Sequence, residues 1–367
     1  GMGMNTKLLL SFVLGAAIVG AIWATRQPEP IQDISAKWSG SGHADATSES
    51  FVHWDADEPP VVPTNCAKCH SLYGYLDFLG ADGSAAGTVD KEAKTGSVLF
   101  CNTCHSDAAH SLSQVSFTSG AAITPRGSEA SCLQCHQGRS SSPSVNKTLA
   151  GLEADTVNEK LAFINVHYNI AAATLMGNDG QTAYQYDGKS YIGRYNHVVD
   201  LSSCTQCHDP HSLAVAPKEC SPCHLNVVDK EDLKDIRYNT QDYDGDGNIK
   251  EGVHGEIETL HDALYVAIRD YARTVVGKPI AYNPDAFPYF FNDANDDGVA
   301  SAEEAVAANR YASWTPRLVR LTYNYGFVLK DPGSYAHNPR YVLQFLYDAL
   351  QDAGEKVPVQ VTGLKRP

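Results

Sequence analysis

The chain has 367 residues, room for two domains, and its 43% hydrophobic and 19% charged content excludes a wholly disordered protein. Lys and Arg total 28 against 43 Asp and Glu, a formal charge of −15 at pH 7, which argues against nucleic acid or an anionic lipid surface as a partner. Ten cysteines, 14 histidines and only 3 methionines are the counts that carry chemistry.

In chain order, the first element is an apolar run from Leu8 to Ala24, preceded by Lys7 and interrupted only by Ser11. It is longer than an ordinary signal-peptide core and just long enough to span a bilayer. Residues 1–25 are therefore expected to be a signal peptide or an N-terminal membrane anchor, with an uncleaved span preferred because Ile22 and Trp23 make a poor cleavage site. Residues 26–42, RQPEPIQDISAKWSGSG, read as a linker.

Residues 43–224 contain every cysteine. They fall into five Cys-x-x-Cys pairs, each followed at once by histidine: Cys66, Cys69 and His70; Cys101, Cys104 and His105; Cys132, Cys135 and His136; Cys204, Cys207 and His208; Cys220, Cys223 and His224. This is the attachment signature of c-type haem. Two thiols three positions apart can form thioethers with the two vinyl groups on one porphyrin edge, and the next residue supplies the proximal imidazole. Zinc ribbons use two Cys pairs per metal and need no histidine after each. A disulfide framework would not explain the histidine either. The reading predicts five covalent haems c and no disulfide. This region should have short helices around the motifs and much irregular chain, because the haems themselves form the core.

Five haems leave nine further histidines, whereas Met176 is the only methionine beyond the N-terminal segment. Mostly bis-histidine ligation is the economical expectation, and it favours low potentials. His43, His53, His167, His197 and His211 are the expected distal iron ligands. His211 leaves the same short turn as His208, so it should serve a neighbouring haem. His110 and His337 are held in reserve. His254 and His261 are expected to be solvated.

Residues 225–367 have no cysteine and show helical periodicity. Ile257, Leu260, Leu264, Ile268, Tyr271 and Val275 form one apolar face, ended by Gly277 and Pro279. Asn338-Pro339 starts a second helix with Val342, Leu346, Leu350 and Ala353 on one face and Gly354 at its stop. A third helical stretch is expected over residues 302–329, broken or restarted at Pro316. Two segments fit a calcium loop. In residues 293–304, Asp293, Asn295, Asp297, the Val299 carbonyl, Ser301 and Glu304 take the ligand positions, with Gly298 at the bend. In residues 242–253, Asp242, Asp244, Asp246, Gly247 and Asn248 fit, but Val253 stands where a glutamate belongs. Glu251 or Glu256 is the expected substitute. The fold class is thus mainly α with much irregular chain: a haem-packed core followed by a helical region with EF-hand-like loops.

The chain resembles the bacterial multihaem c-type cytochromes, in particular membrane-associated polyhaem ones. The stretches that carry the resemblance include CAKCHSLYGYLDFLG, CLQCHQGR, VHYNIAAATLMG, GRYNHVVDLSSCTQCHDPHSLAV, DYDGDGN and KDPGSYAHNPRYVLQFLYDAL. The resemblance implies respiratory electron transfer outside the cytoplasm, on the periplasmic face of the inner membrane or further out. A redox protein or a membrane quinol-oxidising partner would exchange electrons with it, and self-assembly through haem contacts is a further option. Two alternatives stand beside an electron carrier. One is a multihaem oxidoreductase with one open haem acting on a small nitrogen or sulfur compound. The other is a haem subunit of a quinol-oxidising complex. All five motifs keep histidine, so no catalytic-haem signature is present and no catalytic residue is expected.

Overall fold

The computed structural model describes residues 29–198, 201–237, 239–359 and 362–367. The expected anchor at Leu8–Ala24 lies outside them. Among the described residues no helix is long and apolar enough to cross a membrane.

Helices dominate, most of them short, and irregular chain joins them. The first, α1 (Ile31–Ser39), occupies the stretch expected to be a linker. It is tied down at both ends of its last turn. Trp38 Nε1 donates to the Leu99 carbonyl at 3.0 Å, and Lys37 pairs with Asp209 at 2.8 Å. Helices α2 (Thr64–His70) and α3 (Leu72–Phe78) follow, with Ser71 capping α3 through its hydroxyl. Helix α4 (Ala130–Cys135) carries the third motif, and α5 (Ala171–Met176) is the small-residue run after His167. The long helices come last: α6 (Val253–Tyr271), α7 (Pro316–Leu329) and α8 (Pro339–Gly354). Helix α6 ends through a π-helical turn, Ala272–Val276, and stops at Gly277, whose φ is +76°. Both α7 and α8 begin with proline at the first helical position, under Thr315 and Asn338 side-chain caps.

Among the described residues the strands form three two-stranded antiparallel ribbons. They are β1 (Val61–Val62) with β2 (Ala93–Lys94), β3 (Val115–Ser116) with β4 (Ala122–Ile123), and β5 (Ile280–Tyr282) with β6 (Phe290–Asn292). In the last ribbon Ala281 stands opposite Phe291.

The expected helix over residues 302–329 is only half present. Residues 302–315 hold turns and one short 3-10 segment, Ala307–Asn309, before α7 starts at Pro316. The physical reason lies in the acidic loop before it. Glu304 bonds back to the Ala294 and Ser301 amides, which closes the loop rather than starting a helix.

The main apolar core joins α6, α7 and α8 through buried Ile257, Leu264, Ile268, Leu318, Phe327, Leu346 and Leu350. Residues from the cysteine-bearing region enter the same core: Val145, Leu161, Val166, Ile170 and Tyr184. Around the motifs themselves the apolar clusters are small, such as Val62, Ala67 and Ala93. That contrast positions the site. A solid helical block backs a thin-walled shell that holds the cysteines.

Candidate haem-binding site

Each motif is built from one helical turn. The histidine amide donates to the carbonyl of the first cysteine in four of the five: His105 to Cys101, His136 to Cys132, His208 to Cys204 and His224 to Cys220, all at 2.9 Å. In the first motif both cysteines and His70 lie inside α2. A helical turn puts residues i and i+3 on one face, so both thiols of a pair point the same way. The ten cysteines are free thiols.

All ten cysteines and all 14 histidines line one continuous cavity of about 3530 Å³. Within it every motif histidine faces a histidine from elsewhere in the chain. The ring centroids are 5.9 Å apart for His70 and His167, 6.2 Å for His105 and His211, and 6.3 Å for His136 and His43. For His208 and His337 the separation is 6.3 Å, and for His224 and His197 it is 5.9 Å. Two imidazoles on one metal need this span. Metal–nitrogen bonds of about 2.0 Å, plus roughly 1.1 Å from each nitrogen to its ring centre, place the centroids about 6 Å apart. The residues therefore fit five axially ligated haems by donor type, number and spacing.

The ring nitrogens are oriented for the same task. His70 Nδ1 meets the Ser50 carbonyl at 2.8 Å, His136 Nδ1 the Asn169 carbonyl at 2.6 Å, and His208 Nδ1 the Leu213 carbonyl at 3.1 Å. A carbonyl partner fixes the proton on Nδ1 and leaves Nε2 as the lone-pair donor. His337 is held differently. Its Nδ1 lies 2.9 Å from both oxygens of Asp331, a carboxylate only 2% exposed. Burial pushes His337 toward neutrality, but the Asp331 charge outweighs it and holds the imidazole above its ordinary pKa. Burial pushes His43 and His167 down to about 4, with smaller contributions from His136 and His70, so both are neutral donors.

Four of the five expected distal histidines, His43, His167, His197 and His211, stand opposite a motif histidine. His53 does not. It is exposed, contacts Glu49 at 2.6 Å and packs edge-on against Trp54, which shields His70. His337, held in reserve, takes the remaining place opposite His208. His110 sits edge-on to His105 at 5.8 Å, while His211 lies nearly parallel to it at 18°. His261 is buried rather than solvated, with its Nε2 at 2.9 Å from the Tyr325 carbonyl. His254 is partly buried beside Tyr335.

Gly138 follows the third motif in a left-handed turn, φ +80°, and a Cβ there would lie 2.9 Å from the Val166 carbonyl. That close approach lets the Arg139 amide bond to Val166 and seats His167 beside the motifs.

The motifs touch one another. Cys69 Sγ lies 3.9 Å from the Gln134 carbonyl and Cys135 Sγ 4.0 Å from the Lys68 carbonyl, which joins the first motif to the third. The Ser128 and Thr205 hydroxyls, 3.2 Å apart, join the segments of the third and fourth motifs. Ser131 bridges from Tyr75 to the Thr103 carbonyl, tying the second motif to the third. The Ala216 amide reaches the Cys207 carbonyl at 3.2 Å, linking the fourth to the fifth. Glu129, fully buried next to the third motif, is clamped by Arg194 through two bonds of 2.7 and 2.9 Å and lies 3.8 Å from Cys204 Sγ. No sequence pattern marked Glu129, Arg194 or Asp331.

In the calcium-like loops the acidic side chains are folded inward. Asp293, 2% exposed, accepts from the Asp297 and Gly298 amides. In the other loop Asp242 accepts from Gly245 and Gly247. Burial, then Asp244, Asp246 and Glu256, push Glu251 up to about 7.

No family model matches the chain, and no solved structure matches it. Among curated proteins it is similar to the C-type polyheme cytochrome OmcB of Geobacter sulfurreducens, 25% identical over 83% of this chain and 46% of the relative. It is also similar to the C-type polyheme cytochrome OmcC of the same organism, 24% identical over 92% of this chain and 48% of the relative. The chain thus spans about half the length of the curated relatives it matches. With haem-attachment motifs consuming every cysteine and this likeness running over most of the chain, the protein is a multihaem c-type cytochrome.

Proposed function

We propose that the protein is an extracytoplasmic electron carrier in a respiratory chain, with five covalent haems c, each held by two histidines. The pairs are His70 with His167, His105 with His211, His136 with His43, His208 with His337, and His224 with His197. The observation that carries the reading is the spacing of all five pairs, 5.9–6.3 Å. Haem supplies one-electron iron chemistry, and two imidazoles per iron leave no coordination position for a substrate. Covalent attachment takes place outside the cytoplasm, which sets the expected location. A redox protein or a quinol-oxidising membrane complex is the expected partner.

Chain residues do the rest. The thiols fix each ring in place, the carbonyls of Ser50, Asn169 and Leu213 orient the imidazoles, and the shell keeps the motifs in contact. Calcium in the 293–304 loop belongs to the same proposal, with Asp293, Asn295, Asp297, the Val299 carbonyl, Ser301 and Glu304 as its ligands.

The test is the intact mass and spin state of natively matured protein. The expected mass is that of the mature chain plus five haems, with wholly low-spin ferric electron paramagnetic resonance. Fewer haems would end the five-pair assignment. A high-spin signal would favour the oxidoreductase alternative instead.

A further inference from the structure

We infer that residues 242–251 bind one calcium ion through Asp244, Asp246 and Glu251, with Glu251 doing the work that Val253 cannot. The loop template breaks at its last position. Val253 is 5% exposed and sits in the main core at the start of α6, so its side chain is committed to packing. The chain closes the loop two residues early instead. The carboxylates of Asp244, Asp246 and Glu251 bring oxygens within 4.8 Å of one another. Oxygens on a sphere around calcium, each 2.3–2.6 Å from it, lie within about 5 Å of one another.

Two of these carboxylates are incomplete without a cation. Asp244 is 7% exposed, and its Oδ2 has no hydrogen-bond partner among the described residues. Glu251 Oε1 is buried and likewise unpartnered. A buried unpaired carboxylate oxygen is costly, and a divalent ion relieves both at once. Glu251 is also packed in place, since a Cβ on Gly255 would lie 2.2 Å from its Oε2.

The remaining acid serves a different purpose. Glu256 accepts the Tyr243 and Asp244 amides at 2.7 and 3.0 Å and pairs with Arg237 at 2.7 Å. It therefore shapes the loop and already has its counter-charge. Gly245, at φ +76°, packs against Gly363, so the loop also holds the C-terminal segment. An all-oxygen donor set without histidine or cysteine selects a hard cation, and its irregular, flexible closure suits calcium better than magnesium. The inference goes beyond the haem reading and does not depend on it.

The test uses the haem-loaded full chain after chelator dialysis, carrying Asp293→Asn and Glu304→Gln to silence the other loop. Isothermal calorimetry with calcium chloride should then show one site per chain. Adding Glu251→Gln or Asp244→Asn should weaken it at least tenfold while the haem spectrum stays unchanged, which reports an intact fold. Saturating calcium should raise the unfolding midpoint by about 5 °C. Absence of saturable heat, binding that survives both substitutions, or equal stabilisation by magnesium would overturn the assignment. None of these outcomes touches the iron ligands, so failure here and failure of the haem reading are separable.

Discussion

His337 and His53 show how much a single residue's environment decides. Both flank promising sequence, and His53 lies closer to a motif, yet only His337 faces a motif histidine. Sequence distance is a poor guide because an iron ligand is chosen by the fold that encloses it, and His337 arrives from the far end of the chain on the turn before α8. Two predictions follow from that turn. His337→Ala should convert one haem to a five-coordinate, high-spin state by electron paramagnetic resonance, whereas His53→Ala should leave all haems low-spin. If His53→Ala produces the high-spin signal and His337→Ala does not, the pairing of His208 is wrong. Asp331 adds a second, finer effect. Its carboxylate on His337 Nδ1 makes a charge-assisted bond that, in the proposed pairing with His208, would strengthen donation to iron. Asp331→Asn should raise one haem potential by about 50 mV, the one-electron equivalent of roughly 1 kcal/mol. Spectropotentiometry would show this as a displaced component with the others unmoved.

The long C-terminal helices were legible as elements because their apolar periodicity, caps and prolines agree. The ribbons and the 302–315 loop were not, since strands of two or three residues are too short to show a period, and the loop is closed by Glu304 accepting from the Ala294 and Ser301 amides rather than by a repeating pattern. What the helices do beyond packing shows in their buried polar groups. Arg317, on α7, reaches Asp155 at 2.8 Å and Glu355 at 2.9 Å and also bonds Asp352, which ties α8 to the cysteine-bearing region. Arg317→Met should cost about 2 kcal/mol in denaturant unfolding, because it removes one of the two guanidiniums on buried Asp352 while Arg320 still bonds both carboxylate oxygens. Lys356→Ala, which removes a partly exposed pair with Asp155, should cost less than about 1 kcal/mol. His261, on α6, supplies a pH dependence. Burial holds its pKa below the ordinary 6.5, opposed by the hydrogen bond to the Tyr325 carbonyl and, less, by Asp262 and Glu258. The unfolded chain then takes up a proton near pH 6.5 that the folded chain refuses, so stability is full above 6.5 and declines as the pH falls below it. His261→Gln should flatten that decline, and an unchanged slope would assign it to other groups.

At the scale of the whole molecule, the motif contacts form a branched pattern rather than a line. The first, second and fourth motifs each touch the third, and the fifth touches the fourth. None of this was readable from the cysteine spacing, which runs 35, 31, 72 and 16 residues and would suggest that the last two motifs form the only tight pair. The adjacency comes from α2, α3 and α4 packing side by side, and from the Glu129–Arg194 clamp between the third and fourth motifs. A junction has a measurable consequence. Reducing one iron adds a negative charge, and in a site of low dielectric that charge lowers the potential of its neighbours most strongly. His43→Met would place a methionine opposite His136 and raise the potential there, on the order of 100 mV within the roughly 0.8 V that axial ligands span. The third haem would then be reduced first. The resulting downward shifts should be large for the first, second and fourth haems and small for the fifth. Site-resolved redox titration by nuclear magnetic resonance would read that order directly. Equal shifts at all four, or a large shift at the fifth alone, would mean that the third motif is not where the paths meet.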